Sequence, residues 1–184
     1  MKRPVRAIRK QLLPGREYKS RFDQEQSPFK MLAIPAASIM LGSMVTALPF
    51  IESQPMLPPF GLLIFLAWRL MRPGLLPMWA GLPFGLFDDI FSGQPFGSAG
   101  LLWSVVMLVM EVIDSRALWR DHFQDWFIAA LLIIFAILGG WWIAGLAHAR
   151  PEAIVLLPQI MLSLLIYPLA VRLCARLDRW RLSP

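Results

Sequence analysis

A chain of 184 residues with 57% hydrophobic and 16% charged residues, and a mean hydropathy of +0.57, is too apolar for a soluble globular domain. At roughly 20 residues per bilayer crossing, it holds one bundle of about six spans with a tail and no second folded domain. The +6 charge sits at the chain ends and in short loops rather than on a soluble face, which excludes a nucleic-acid partner, and the single cysteine excludes an internal disulfide and a thiolate metal cluster.

Residues 1–30 form a basic tail in which nine Lys and Arg outnumber Glu17, Asp23 and Glu25. Such a cluster next to a first span holds that end in the cytoplasm. Val5, Ile8 and Leu12 recur at helical spacing, which allows a short amphipathic helix on anionic lipid; a solvated, disordered tail is the plainer expectation. The apolar run starts only after this tail, so no cleaved secretory signal is expected. The membrane domain is expected over residues 31–175, followed by a basic cytoplasmic end at 176–184.

The first span is expected at 32–50, followed by IESQPMLPP, a turn-rich outer loop without Lys or Arg. The second run, 60–71, covers only ~18 Å of a ~30 Å hydrocarbon core. Arg69 and Arg72 make it a crossing, because a run that turned back would leave both outside. The prolines Pro55, Pro58 and Pro59 before it predict a fixed, non-helical outer segment, one side of a groove where a partner could dock.

The third span is expected at 74–90 with Pro77 and Pro83 inside it, and therefore kinked. The fourth, 97–113, opens with the small residues Gly97, Ser98, Ala99 and Gly100, so spans three and four should form a tight hairpin. The charged segment EVIDSRALWRDHFQD reads as a solvated cytoplasmic loop. The fifth span, 126–147, carries Trp126 at its inner end and Trp141 and Trp142 toward its outer end; the sixth, 153–173, contains Pro158, Gln159 and Pro168. Seventeen of the eighteen Lys and Arg then lie inside and only Arg150 outside, which predicts both termini in the cytoplasm.

The stretch PFGLFDDIFSGQPFGSAG, from Pro83 to Gly100, is the chemical centre of the chain. A carboxylate pair between long apolar runs needs a reason. Asp88 and Asp89 point about 100° apart on a helix and cannot face one partner. Either Asp89 makes a polar interaction inside the bundle that fixes the turn between spans three and four, or the pair ends its helix at a hydrated interface. Gly85, Gly93, Gly97 and Gly100 read as packing residues, with Gly93, Gln94 and Pro95 supplying the turn. Gln159 and Glu111 are expected in interhelical or interfacial hydrogen bonds, and His148 as a solvated loop residue. No nucleophile, base or metal cluster accompanies the acids, so no catalysis and no cofactor are expected.

Gly85, Asp89, Gly93 and Gly97, spaced G-x3-D-x3-G-x3-G, resemble the central signature of the MreD family of rod shape-determining proteins. Pro58, ten residues before Trp68 in PPFGLLIFLAW, is similar to the same family's proline and tryptophan at the second span, although Leu57 stands where the family often has arginine. The resemblance implies a non-enzymatic inner-membrane scaffold of the bacterial elongation machinery. Its implied partners are a bitopic MreC-like protein and, indirectly, MreB-like filaments and the cell-wall synthases. Pro58, Trp68, Gly85, Asp88, Asp89, Gly93, Pro95 and Gly97 are the expected partner-binding or structural positions. The family's all-α, six-helix core is also likened to the substrate-binding subunits of energy-coupling-factor transporters. A small-molecule binding or transport subunit is therefore the rival reading, which a polar cavity reaching Asp89 would favour and a lipid-exposed groove of small and apolar side chains would oppose.

Overall fold

The computed structural model describes residues 28–45, 57–116, 122–147 and 152–182, and every regular element among them is helical. The six α-helices are α1 (Pro28–Val45), α2 (Phe60–Met71), α3 (Gly81–Ser92), α4 (Ser98–Arg116), α5 (His122–Ala147) and α6 (Leu156–Leu182); single turns of 3-10 helix precede α3 and α6. Residues 1–27 of the basic tail, the end of the first expected span, Pro55, Arg120, His148 and Arg150 lie outside the described residues.

Successive helices alternate in direction. Leu57, Asp89, Gly97 and Gln159 gather at one end of the bundle, and Arg69, Arg72, Asp114 and Asp178 at the other. Three helices, Ser98–Arg116, Phe123–Leu146 and Ala153–Leu182, are each long and apolar enough to cross a membrane, and two shorter apolar helices accompany them. Their outer faces carry large apolar side chains in the open, such as Leu165 at 76% and Leu169 at 63% exposure. Apolar surface on that scale suits lipid and would be a liability in water. The architecture is that of an all-α membrane bundle.

The short helix α2 is its axis. Every residue from Gly61 to Leu70 is buried, Arg69 included. Phe65 packs against Phe84 of α3 and Trp103 of α4, with ring centroids 6.2 and 5.0 Å away. A helix sheathed in protein does not need to match the bilayer thickness, because irregular backbone at membrane depth is tolerated where protein covers it. This accounts for twelve residues where a lipid-facing span needs roughly 20.

The expected kink in the third span is absent. Gly74, at φ +85°, belongs to a turn, Pro77 precedes the 3-10 turn Met78–Ala80, and Pro83 falls in the first turn of α3. A proline there removes no bond that the helix would otherwise make, so the two prolines start the helix rather than bend it. The prolines that do lie inside helices are Pro35 in α1 and Pro168 in α6. At its other end α6 runs unbroken through residue 182, so the segment expected as a basic tail is largely its last turns.

Those turns belong to an ion-pair cluster. Arg69, 2% exposed, lies between Glu111 at 3.0 Å and Asp114 at 2.7 Å. Asp178 bridges Arg72 at 2.7 Å and Arg181 at 2.8 Å, and the Arg181 guanidinium stands 5.6 Å from the centroid of the Trp68 ring. The cluster ties the ends of α2, α4 and α6. Arg69→Ala is expected to cost about 1–3 kcal/mol by leaving the half-buried Asp114 carboxylate without its cation, whereas Glu111→Gln, at an exposed carboxylate, should cost less than about 1 kcal/mol. Thermal unfolding in detergent checks both.

Candidate functional site

The site is built on the hairpin of α3 and α4. Gly93 ends α3 at φ +66°, a left-handed conformation that glycine adopts without penalty, and Gly97 repeats it at φ +96° just before α4. Between them the Ser98 amide donates to the Pro95 carbonyl at 3.0 Å. This turn returns the chain so that α4 begins beside the last turn of α3.

The first amides of any helix lack partners within it. Here Asp89 supplies them from the neighbouring helix. Its Oδ1 accepts from the Ala99 amide and the Ser98 hydroxyl, both at 2.9 Å. Its Oδ2 accepts from the Gly97 amide at 2.8 Å and the Gly100 amide at 3.4 Å. A carboxylate at this position also meets the positive end of the α4 dipole. Asp89 is 4% exposed, so these bonds form in a low dielectric where an unpaired amide is costly.

The approach that brings Asp89 there depends on two glycines. A Cβ on Gly85 would lie 2.5 Å from the Ala99 carbonyl oxygen, and one on Gly81 would lie 2.5 Å from that of Trp103. Both obstacles are backbone, which cannot swing aside. Gly81, Gly85 and Asp89 therefore form a stripe one helical turn apart that lies against α4. Gly97, expected as a packing residue, is required instead by its backbone angle, since a Cβ there would meet nothing within 4 Å. Gly81 was not singled out from the sequence, although its spacing of four from Gly85 carries the signal.

Asp88 points elsewhere, as the 100° offset requires. Its carboxyl lies near Ser43 of α1 at the close approach of Gly61, and it lines a cavity of about 190 Å³ with Gln94, Trp103, Trp141 and Gln159. Asp89 is not among the residues that line it. Gln159 donates from Nε2 to the Leu57 carbonyl at 2.9 Å, which anchors the backbone just before the buried Pro58. A second hollow, almost wholly apolar, runs between α1 and the start of α3, with Ala36 and Ala80 among larger side chains such as Met40, Trp79 and Phe87.

The structure thus brings Gly85, Asp88, Asp89, Gly93, Pro95 and Gly97 to one end of the bundle, where Pro58 also lies. Trp68 lies apart, fully buried near the other end, with its Nε1 donating to the Ser38 hydroxyl at 2.8 Å. The partners of Trp68, and the arginine cluster beside it, were not anticipated from the sequence.

Compared with known proteins, residues 26–176 match the family model described as rod shape-determining protein MreD. The chain has no match among curated proteins or solved structures.

Proposed function

The chain belongs to the rod shape-determining protein MreD family, and from that premise we propose that it is a non-enzymatic scaffold of the cell-elongation machinery that binds a single-span, MreC-like partner. The family carries a role in determining rod shape. The scaffold lies in the bacterial inner membrane with both termini in the cytoplasm, an orientation supported by the seventeen Lys and Arg on one side. Through its partner it is linked to MreB-like filaments and the cell-wall synthases, and its basic amino end attracts anionic lipid.

The observation that carries this reading beyond the family is the rigid hairpin. Asp89 and the glycines hold α3 against α4, and α3 in turn borders the apolar hollow beside α1. Within lipid, helices associate by close packing, and small residues flanked by large ones give a second helix a seat. The partner's transmembrane helix occupies that hollow. Ala36→Phe, which fills it, is expected to reduce recovery of the MreC-like protein at least severalfold in mild detergent while leaving thermal unfolding near that of the wild type. Undiminished recovery would remove the hollow from the interface.

A further inference from the structure

Asp88 is the buried carboxylate that the hairpin does not use. It is 7% exposed and forms no ion pair with a described residue; its polar neighbour on α1 is the Ser43 hydroxyl, which is neutral. An acid held out of water at membrane depth without a cation is costly, and such acids mark sites of function. Asp88 also lines a cavity, which gives a cation somewhere to sit.

The cavity lies among α2, α4, α5 and α6 at the Asp89 end of the bundle. Its walls are mainly apolar and include Trp103 and Trp141. Besides Asp88, its polar lining includes the side chains of Gln94 and Gln159. Gln159 commits its amide nitrogen to the Leu57 carbonyl, which leaves its oxygen as an acceptor. The Gln94 amide oxygen lies 3.3 Å from the Ser98 hydroxyl, whose one proton goes to the closer Asp89, so this oxygen keeps its capacity to accept.

We propose that this cavity binds a primary ammonium on a short apolar stem, with Asp88 as counter-ion. An ammonium brings three N–H donors and no acceptor, matching one carboxylate and two amide oxygens. The tryptophan rings suit the charge by cation–π attraction and the stem by apolar contact. A hard divalent ion is a poor fit, because calcium takes about six or more oxygen ligands. At about 190 Å³ the space is smaller than the ~300 Å³ at which drug-sized pockets begin, so the stem is short. The ammonium comes either from a free amine or from the headgroup of an aminophospholipid. The site stands independently of the scaffold reading, since it uses neither the hairpin bonds nor the α1–α3 hollow.

The test uses the full chain in phosphatidylcholine nanodiscs with phenethylammonium as probe and phenethyl alcohol as its uncharged counterpart. Saturating phenethylammonium should raise the unfolding midpoint by several degrees, with no such rise for the alcohol or for Asp88→Asn. Replacing phosphatidylcholine by phosphatidylethanolamine separates the sources. A higher starting midpoint with a blunted probe response identifies the headgroup, and an unchanged midpoint with a full response identifies a free amine; both uphold the site. No rise with the probe, an equal rise with the alcohol, or a rise that persists in Asp88→Asn overturns it. Should Asp88→Asn fail to fold, Ala144→Phe keeps the carboxylate and fills space at the cavity wall, and a full response in that variant also overturns the proposal.

Discussion

Asp89→Ala should lower the midpoint of thermal unfolding in detergent by about 10 °C and, in cells that depend on this protein, turn rods into spheres. The substitution strips the Gly97, Ala99 and Gly100 amides and the Ser98 hydroxyl of their acceptor together. The hydroxyl can turn to another oxygen, but the amides at the start of α4 are fixed by the helix. Unsatisfied buried donors cost about 1–3 kcal/mol each, so a total of about 3–5 kcal/mol is expected, and a chain of this size loses roughly 2–4 °C per kcal/mol. Asp89→Asn should recover only part of the loss. Its amide oxygen can serve one side of the old carboxylate, while its NH2 group faces donors on the other. If Asn behaves like Asp, the charge adds nothing to the cap and shape alone holds the turn.

Gly85→Ala is the second large effect, and its sign runs against helix propensity. In an ordinary helix, Ala in place of Gly stabilises by about 1 kcal/mol. Here the new methyl would sit 2.5 Å from the Ala99 oxygen and 2.6 Å from the Gly100 Cα, so α3 and α4 must separate. Overpacking against backbone costs about 1–3 kcal/mol, and the separation also lengthens the Asp89 bonds one turn away. A net loss of about 2 kcal/mol is expected from unfolding curves, and more for Gly85→Val. Because both substitutions act on the same start of α4, the Gly85→Ala/Asp89→Ala pair should lose less than the sum of its parts. Strict additivity would mean that the glycine does not position the aspartate.

Much of this was legible in the residues because it follows local rules. The second helix keeps the boundaries of its apolar run, the hairpin follows from small residues next to turn residues, and the divergence of Asp88 and Asp89 follows from helical geometry. What was hidden depends on which helices are neighbours. Arg69 and Arg72 carried a topological meaning, Asp114 fell in a segment that reads as a solvated loop, and Glu111 was expected in an interhelical or interfacial hydrogen bond with no partner named. Their pairing links residues up to 106 apart in sequence, which no local pattern records. Glu111 and Asp114 do share a helix face by their spacing of three, but nothing in the sequence names Arg69 as what that face meets. The prolines before α3 misled for a related reason. Pro83 has the same chemistry in a helix interior as in a first turn, and only the true start of the helix distinguishes the two.

The most direct test of the scaffold reading is purification of the tagged full chain from its own cells in mild detergent, with every stoichiometric companion identified by mass spectrometry. A bitopic MreC-like protein should accompany the wild type and be depleted with Asp89→Asn, whose hairpin holds α3 less firmly. Recovery of an ATPase module in its place, or of the chain with no MreC-like protein, would contradict it.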